Sequence, residues 1–132
     1  MASLYLWNKS LKEVILLYSY DFMLIMAVYQ DEKGELYLSK ISDWRNGIIF
    51  IVTRTTKKII RDLIKRKISI NIAMKRGSEV KYQVIYENGA WRTKEILFNQ
   101  INPYDLAASR TYLDYMEDDV EENFKNFIKE EL

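Results

Sequence analysis

Two groups of charged residues are dense enough to do chemistry or to bind. One is the carboxylate cluster Glu117, Asp118, Asp119, Glu121 and Glu122; the other is the cation series Lys57, Lys58, Arg61 and Lys65, with Arg54 just ahead of it. Carboxylates alone can hold Mg²⁺ or act as an acid/base pair. The acidic cluster lacks the Asp-x-Asp-x-Asp-Gly pattern of a calcium loop, so it reads as a solvated first helical turn and no metal site is expected. The chain has no His and no Cys. That excludes Ser-His-Asp triads, thiolate nucleophiles, and zinc sites built on imidazole or thiolate. An enzyme would have to work with Lys, Tyr and carboxylates, and no catalytic activity and no cofactor are expected.

Phosphate-cradling loops need clustered glycines, whereas the four here stand apart at positions 34, 47, 77 and 89. Any anion would therefore be held by side chains. The stripe Lys57, Lys58, Arg61 and Lys65 with Arg54 supplies them. Tyr86 and Trp91, with Arg92 and Lys94 following, form a second candidate, a stacking platform beside cations. Such a platform suits a nucleobase and its phosphate, although packing of both rings against a helix is the simpler expectation and periodicity alone does not separate the two.

Charge is strongly segregated along the chain. Ten of the twenty Lys and Arg residues lie between Arg54 and Lys81 against two carboxylates, a local charge of +8. Asp114 to Leu132 carry eight carboxylates against two lysines, a local charge of −6, while the whole chain is +1. Opposed fields of this kind govern steering and partner choice.

The elements that must position these groups follow from hydrophobic patterning. Residues 11–20, 22–30, 35–42 and 48–54 are rich in Ile, Val, Leu and Tyr and read as a four-strand meander. Asp31-Glu32-Lys33-Gly34 and Arg45-Asn46-Gly47 supply turns. The second and fourth strands are apolar on both faces, which assigns them to the centre of a sheet. After Thr55-Thr56, Ile59, Ile60, Leu63 and Ile64 recur at helical spacing over an arc of about 140°, and the four basic residues fill a separate arc of about 100°. Residues 67–75 fit either a short helix or an extended connector, with Arg76-Gly77-Ser78 as a break. Asn88-Gly89 then marks a type I′ hairpin between 79–87 and 90–98, whose register pairs Tyr86 with Trp91 and Ile85 with Arg92. From Asp118, Val120, Phe124, Phe127 and Ile128 predict a docked C-terminal helix with carboxylates in its first turn.

The order of elements predicts an α+β fold: an antiparallel sheet of about six strands (four-strand meander, helix, hairpin), with the amphipathic basic helix and the C-terminal helix packed on it. With 132 residues, 48% hydrophobic and 30% charged, and no linker or repeat, residues 1–132 are expected to form a single α+β domain. The most lipid-like run, Val14 to Tyr29, is too short for a bilayer and contains Asp21, so two buried strands account for it and no membrane partner is expected. The start of the chain shows no secretory signal pattern, and with cysteine absent the expected location is cytoplasmic.

Residues 11–113 resemble an uncharacterised small bacterial and phage domain family, a domain of unknown function. Glu13 and Tyr18-x-Tyr20-Asp21, Gly34-Glu35-Leu36-Tyr37-Leu38 and Lys67-Ile68-Ser69-Ile70 carry the resemblance. Phe22 stands where members often have Pro after the Asp. The resemblance implies a small α+β domain and no catalytic residue.

With catalysis set aside, and with a pI of about 7.8 and no reader motif arguing against a nucleic-acid module, a binding role remains. The leading expectation is a non-catalytic protein that captures an anionic small molecule or nucleotide through Arg54, Lys57, Lys58, Arg61, Lys65, Tyr86, Trp91 and Arg92. Phage anti-defence proteins that sequester nucleotide immune signals are the analogy. The alternative is a protein-interaction module or inhibitor that meets an acidic protein surface, or a second copy in a homo-oligomer, through its opposed charges.

Overall fold

Seven strands form one antiparallel sheet in the computed structural model, ordered as the chain supplies them. They are β1 (Ser3–Leu6), β2 (Lys9–Tyr20), β3 (Met23–Gln30), β4 (Leu36–Asp43), β5 (Ile48–Thr55), β6 (Val80–Glu87) and β7 (Ala90–Leu97). Two helices, α1 (Lys57–Ile64) and α2 (Ile70–Arg76), bridge β5 and β6, and α3 (Val120–Glu130) follows the sheet. The structure describes residues 3–6, 9–20, 23–43, 48–78, 80–101, 112–113 and 119–130. The expected turn at 45–47, Asp21-Phe22, Pro103 and the acidic residues Glu117 and Asp118 lie outside them, as does the side chain of Ile128.

The α+β architecture expected from the sequence is present, with one strand more than the six assigned there. That strand is β1, which pairs with β2 through Leu4 and Leu11 and is too short to show a period. β3 and β5 flank the central β4, as strands apolar on both faces should. The apolar run from Val14 to Tyr29 is divided between β2 and β3, which pair with each other.

Turn chemistry fixes the register. Asp31 Oδ1 accepts from the backbone N–H groups of Lys33 (3.0 Å) and Glu35 (2.9 Å), and Gly34 closes the turn at φ +87°. At the β6–β7 hairpin, Asn88 (φ 53°) and Gly89 (φ 78°) both occupy the left-handed region that a type I′ turn requires. Tyr86 consequently faces Trp91 and Ile85 faces Arg92.

Register shifts along β2, between Glu13 and Ile15 and between Leu16 and Ser19, bend the sheet as bulges do. The sheet curls until β1 approaches β6 and β7. Its concave face encloses Leu11, Ala27, Tyr29, Tyr37, Ile41, Phe50, Val52 and Val84. On the convex face Val28, Leu38 and Ile51 form a larger core with Ile60, Leu63, Ala73, Met74, Val120, Phe124 and Phe127 of the helices. Helix α3 packs on β2 and α1, and α1 on α2. Among the described residues no helix is long and apolar enough to cross a membrane.

Candidate functional site: a basic helical face

Helix α1 begins where Thr56 leaves the extended backbone of β5, its Oγ1 accepting from the Ile59 N–H at 3.2 Å. Ile60, Leu63 and Ile64 are buried against the sheet, and Lys58, Arg61 and Lys65 are exposed. The helix stops as Lys65 donates to the Arg61 carbonyl (2.9 Å), Arg66 turns to φ 58°, and Lys67 donates to the Asp62 carbonyl (2.8 Å). Arg61 and Lys65 sit near the carbonyl end, where the helix dipole favours cations. Lys57 and Lys58 occupy the first turn, where it disfavours them, and no acid accompanies them there.

Lys57 behaves differently from its neighbours. It is half-buried, its Nζ 5.3 Å from the centre of the Phe127 ring of α3. A cation over an aromatic face contributes about 0.5–1 kcal/mol, so this lysine helps dock the two helices. The acidic residues of α3 that are described, Asp119, Glu121 and Glu122, are exposed. Among the described residues, Lys58, Arg61 and Lys65 make no ion pair with them or with any other carboxylate.

Arg54 lies on the other face of the sheet, opposite Tyr37. Its Nη2 donates to Glu35 Oε1 at 2.7 Å, with both side chains partly exposed. The Tyr37 hydroxyl lies 3.4 Å from both Asp31 Oδ2 and Glu35 Oε2. Burial and these two carboxylates push the Tyr37 hydroxyl up to about 12. Burial, and Glu95 after it, also raises Tyr82. Arg54 thus balances a small acidic cluster of its own.

Tyr86 and Trp91 do form an aromatic pair, with ring centres 4.9 Å apart and tilted by 52°, and Phe50 lies 6.2 Å beyond Trp91. They are only 38% and 37% exposed, so part of each ring faces solvent. Tyr86 pairs with Ile48, at the end of β5 opposite Arg54 and α1. Six residues of strand, about 20 Å, separate Ile48 from Arg54. Arg92 is exposed and pairs with Ile85, so it projects from the opposite face to Trp91. The structure therefore brings Lys58, Arg61 and Lys65 together. It leaves Arg54, Tyr86–Trp91 and Arg92 apart from them and from one another.

One unusual residue escaped the sequence reading. Lys81 has 0% exposure and faces the helix side of the sheet, opposite Thr53 and Ile96. Its Nζ donates to Thr53 Oγ1 at 2.8 Å and to the Ser78 carbonyl, and lies 5.8 Å from the Phe98 ring. Burial lowers its pKa from 10.5 to about 8, and no carboxylate among the described residues offsets it. Gly77 makes the arrangement possible. A Cβ there would run into the Arg54 carbonyl oxygen and Thr53 Oγ1, so only glycine lets the loop lie flat on β5 and deliver the Ser78 carbonyl. No sequence signal marks Lys81 except its position three residues after that break.

Among the described residues no group of three carboxylates could hold a metal ion. No family model, no curated protein and no solved structure matches this chain.

Proposed function

We propose that this chain is a non-catalytic binding protein that engages the acidic face of a protein partner through the outer surface of α1. The observation that carries the reading is the row of exposed Lys58, Arg61 and Lys65, three cations with no carboxylate partner among the described residues, on a helix whose opposite side is locked into the core. Lys58 at the electropositive helix end adds to it, since that placement costs about 0.3–1 kcal/mol and, unlike Lys57, its side chain meets no aromatic ring or carboxylate among the described residues. A convex face of this kind complements a surface better than it encloses a molecule.

Capture of one nucleotide by the stripe and the aromatic pair together has less support, because about 20 Å of strand lies between them. Arg54 is committed to Glu35, which removes a further member of that composite site. The acidic first turn of α3 offers the matching surface on a second copy, so self-association is one form the partnership takes.

Co-purification from native extract tests the reading. The wild-type chain should retain a protein partner, or a second copy, that is lost on Arg61→Glu with Lys65→Glu and on raising salt, since exposed charges are screened within about 8 Å at physiological ionic strength. Recovery of bare monomer from the wild type would overturn it. Calorimetric titration with mononucleotides and dinucleotides is the companion measurement: heat that disappears in the same double variant would return the stripe to ligand capture.

A further inference from the structure

The short 3₁₀ turn Phe98–Gln100 follows β7 and is braced by its own glutamine, whose Oε1 accepts from the Leu97 N–H at 2.9 Å. It holds Phe98 half-buried beside the last turn of α2. Lys75 Nζ lies 6.0 Å from the ring centre and Lys81 Nζ 5.8 Å from it. Next to this ring opens a cleft of about 420 Å³ lined by Lys75, Leu97, Phe98 and Asn99. It has the size of small-molecule sites, which run from about 300 to 1,000 Å³.

Among the described residues the charges around the cleft are not balanced. Lys81 is fully buried, and its two acceptors, Thr53 Oγ1 and the Ser78 carbonyl, are neutral oxygens. Buried ammonium groups are ordinarily paired with an anion, because desolvation is otherwise uncompensated. Lys75 is exposed and likewise has no carboxylate among the described residues. Two ammonium groups flanking one aromatic ring at the wall of a cleft leave room for negative charge. Among the described lining residues Leu97 and Phe98 supply an apolar wall, Leu97 being 46% exposed, and Asn99 is the one uncharged polar member.

We infer that this cleft is a binding site for a small organic anion with a flat apolar body, the body lying against Phe98 and Leu97, the carboxylate or phosphate drawn by Lys75 and by the buried Lys81, and Asn99 offering its amide at the rim. The site is separate from the outer face of α1 and does not depend on its role. Lys81 acts through the field of an uncompensated charge in a poorly screened interior. Lys75 acts by direct contact.

Phenyl phosphate and benzoate distinguish the two anion chemistries, with inorganic phosphate and phenol as the halves of the ligand. At pH 7, calorimetry and amide chemical-shift mapping on the full chain should show one of the two aromatic anions binding at least about tenfold more tightly than either half, with shifts centred on Phe98 and Asn99. Lys75→Met should weaken that binding by about tenfold or more, the usual worth of a charge-assisted contact, and Lys81→Met, which removes only the field of a buried charge, should weaken it by about threefold or more. Arg61→Glu with Lys65→Glu should leave it unchanged. Should Lys81→Met fail to fold, Phe98→Leu keeps the apolar wall, removes the ring, and should give the same loss. The inference is overturned if neither aromatic anion moves the Phe98 and Asn99 signals at about 10 mM, or if Lys75→Met binds like the wild type.

Discussion

Lys81 should leave its mark on the pH dependence of stability. Its folded pKa is about 8 against an ordinary 10.5, so between those values the unfolded chain binds the proton that the folded chain has released. Stability therefore rises with pH across that window, and the burial penalty is fully present below it. The tyrosines oppose this at higher pH. Tyr37 is raised to about 12 by burial and its acidic neighbours, and Tyr29 is raised by burial and Glu13. Above about pH 10 the unfolded chain ionises these hydroxyls first and stability falls. Urea unfolding from neutral pH to about pH 11 should thus trace a rise and then a fall. In Lys81→Met the rise should vanish while the alkaline fall remains. Ser39 gives a simpler expectation: its buried Oγ, between Ala27 and Val52 on the concave face, has no hydrogen-bond partner. Ser39→Ala should stabilise the protein by about 1 kcal/mol, read as a higher urea midpoint at unchanged slope. Neither residue was legible in the sequence. Gln83–Lys94 and Ile85–Arg92 give the Lys81 face of the hairpin a polar, solvent-like pattern, and only the cover provided by Phe98 and the Gly77 loop turns one end of it into core.

At the scale of elements, local chemistry was readable wherever a single residue decides a backbone geometry. Asn88-Gly89 specified the hairpin register pair by pair, and Thr56 specified the start of α1. Helix α2 is ambiguous in the sequence because its seven residues are too few to show a period, and its start depends on Ser69 Oγ accepting from the Ile72 N–H at 3.2 Å. β1 has no sequence signature for the same reason of length. Thr56→Ala and Ser69→Ala should each cost about 1 kcal/mol, the usual worth of an N-cap. Gly77→Ala should cost more, about 2 kcal/mol or above, because the added methyl meets backbone and a hydrogen-bonded hydroxyl that cannot move aside without releasing Lys81. Thermal unfolding of the three variants in parallel ranks them. A Gly77→Ala protein as stable as the cap variants would mean that the loop shifts freely.

Over the whole molecule, the curl of the sheet explains both what the sequence foretold of the candidate site and what it did not. Helical periodicity was enough to sort α1 into a buried and a basic face, and Lys58, Arg61 and Lys65 lie where it put them. The Asn88-Gly89 turn was enough to pair Tyr86 with Trp91. What one-dimensional patterning lacks is the distance between elements, so the cationic stripe and the aromatic platform read as parts of one site although they lie towards opposite ends of β5. The exposed cations of α1 and the described carboxylates Glu121 and Glu122 of α3 likewise lie on separate helices, which touch through Lys57 and Phe127. The most direct measurement of the proposed binding role is native mass spectrometry of protein taken from native extract at low ionic strength, the wild type beside Arg61→Glu with Lys65→Glu. A protein complex or homodimer in the wild type that reverts to monomer in the variant is the predicted result. A wild type that flies as bare monomer, or a complex that survives the charge reversal, would contradict it.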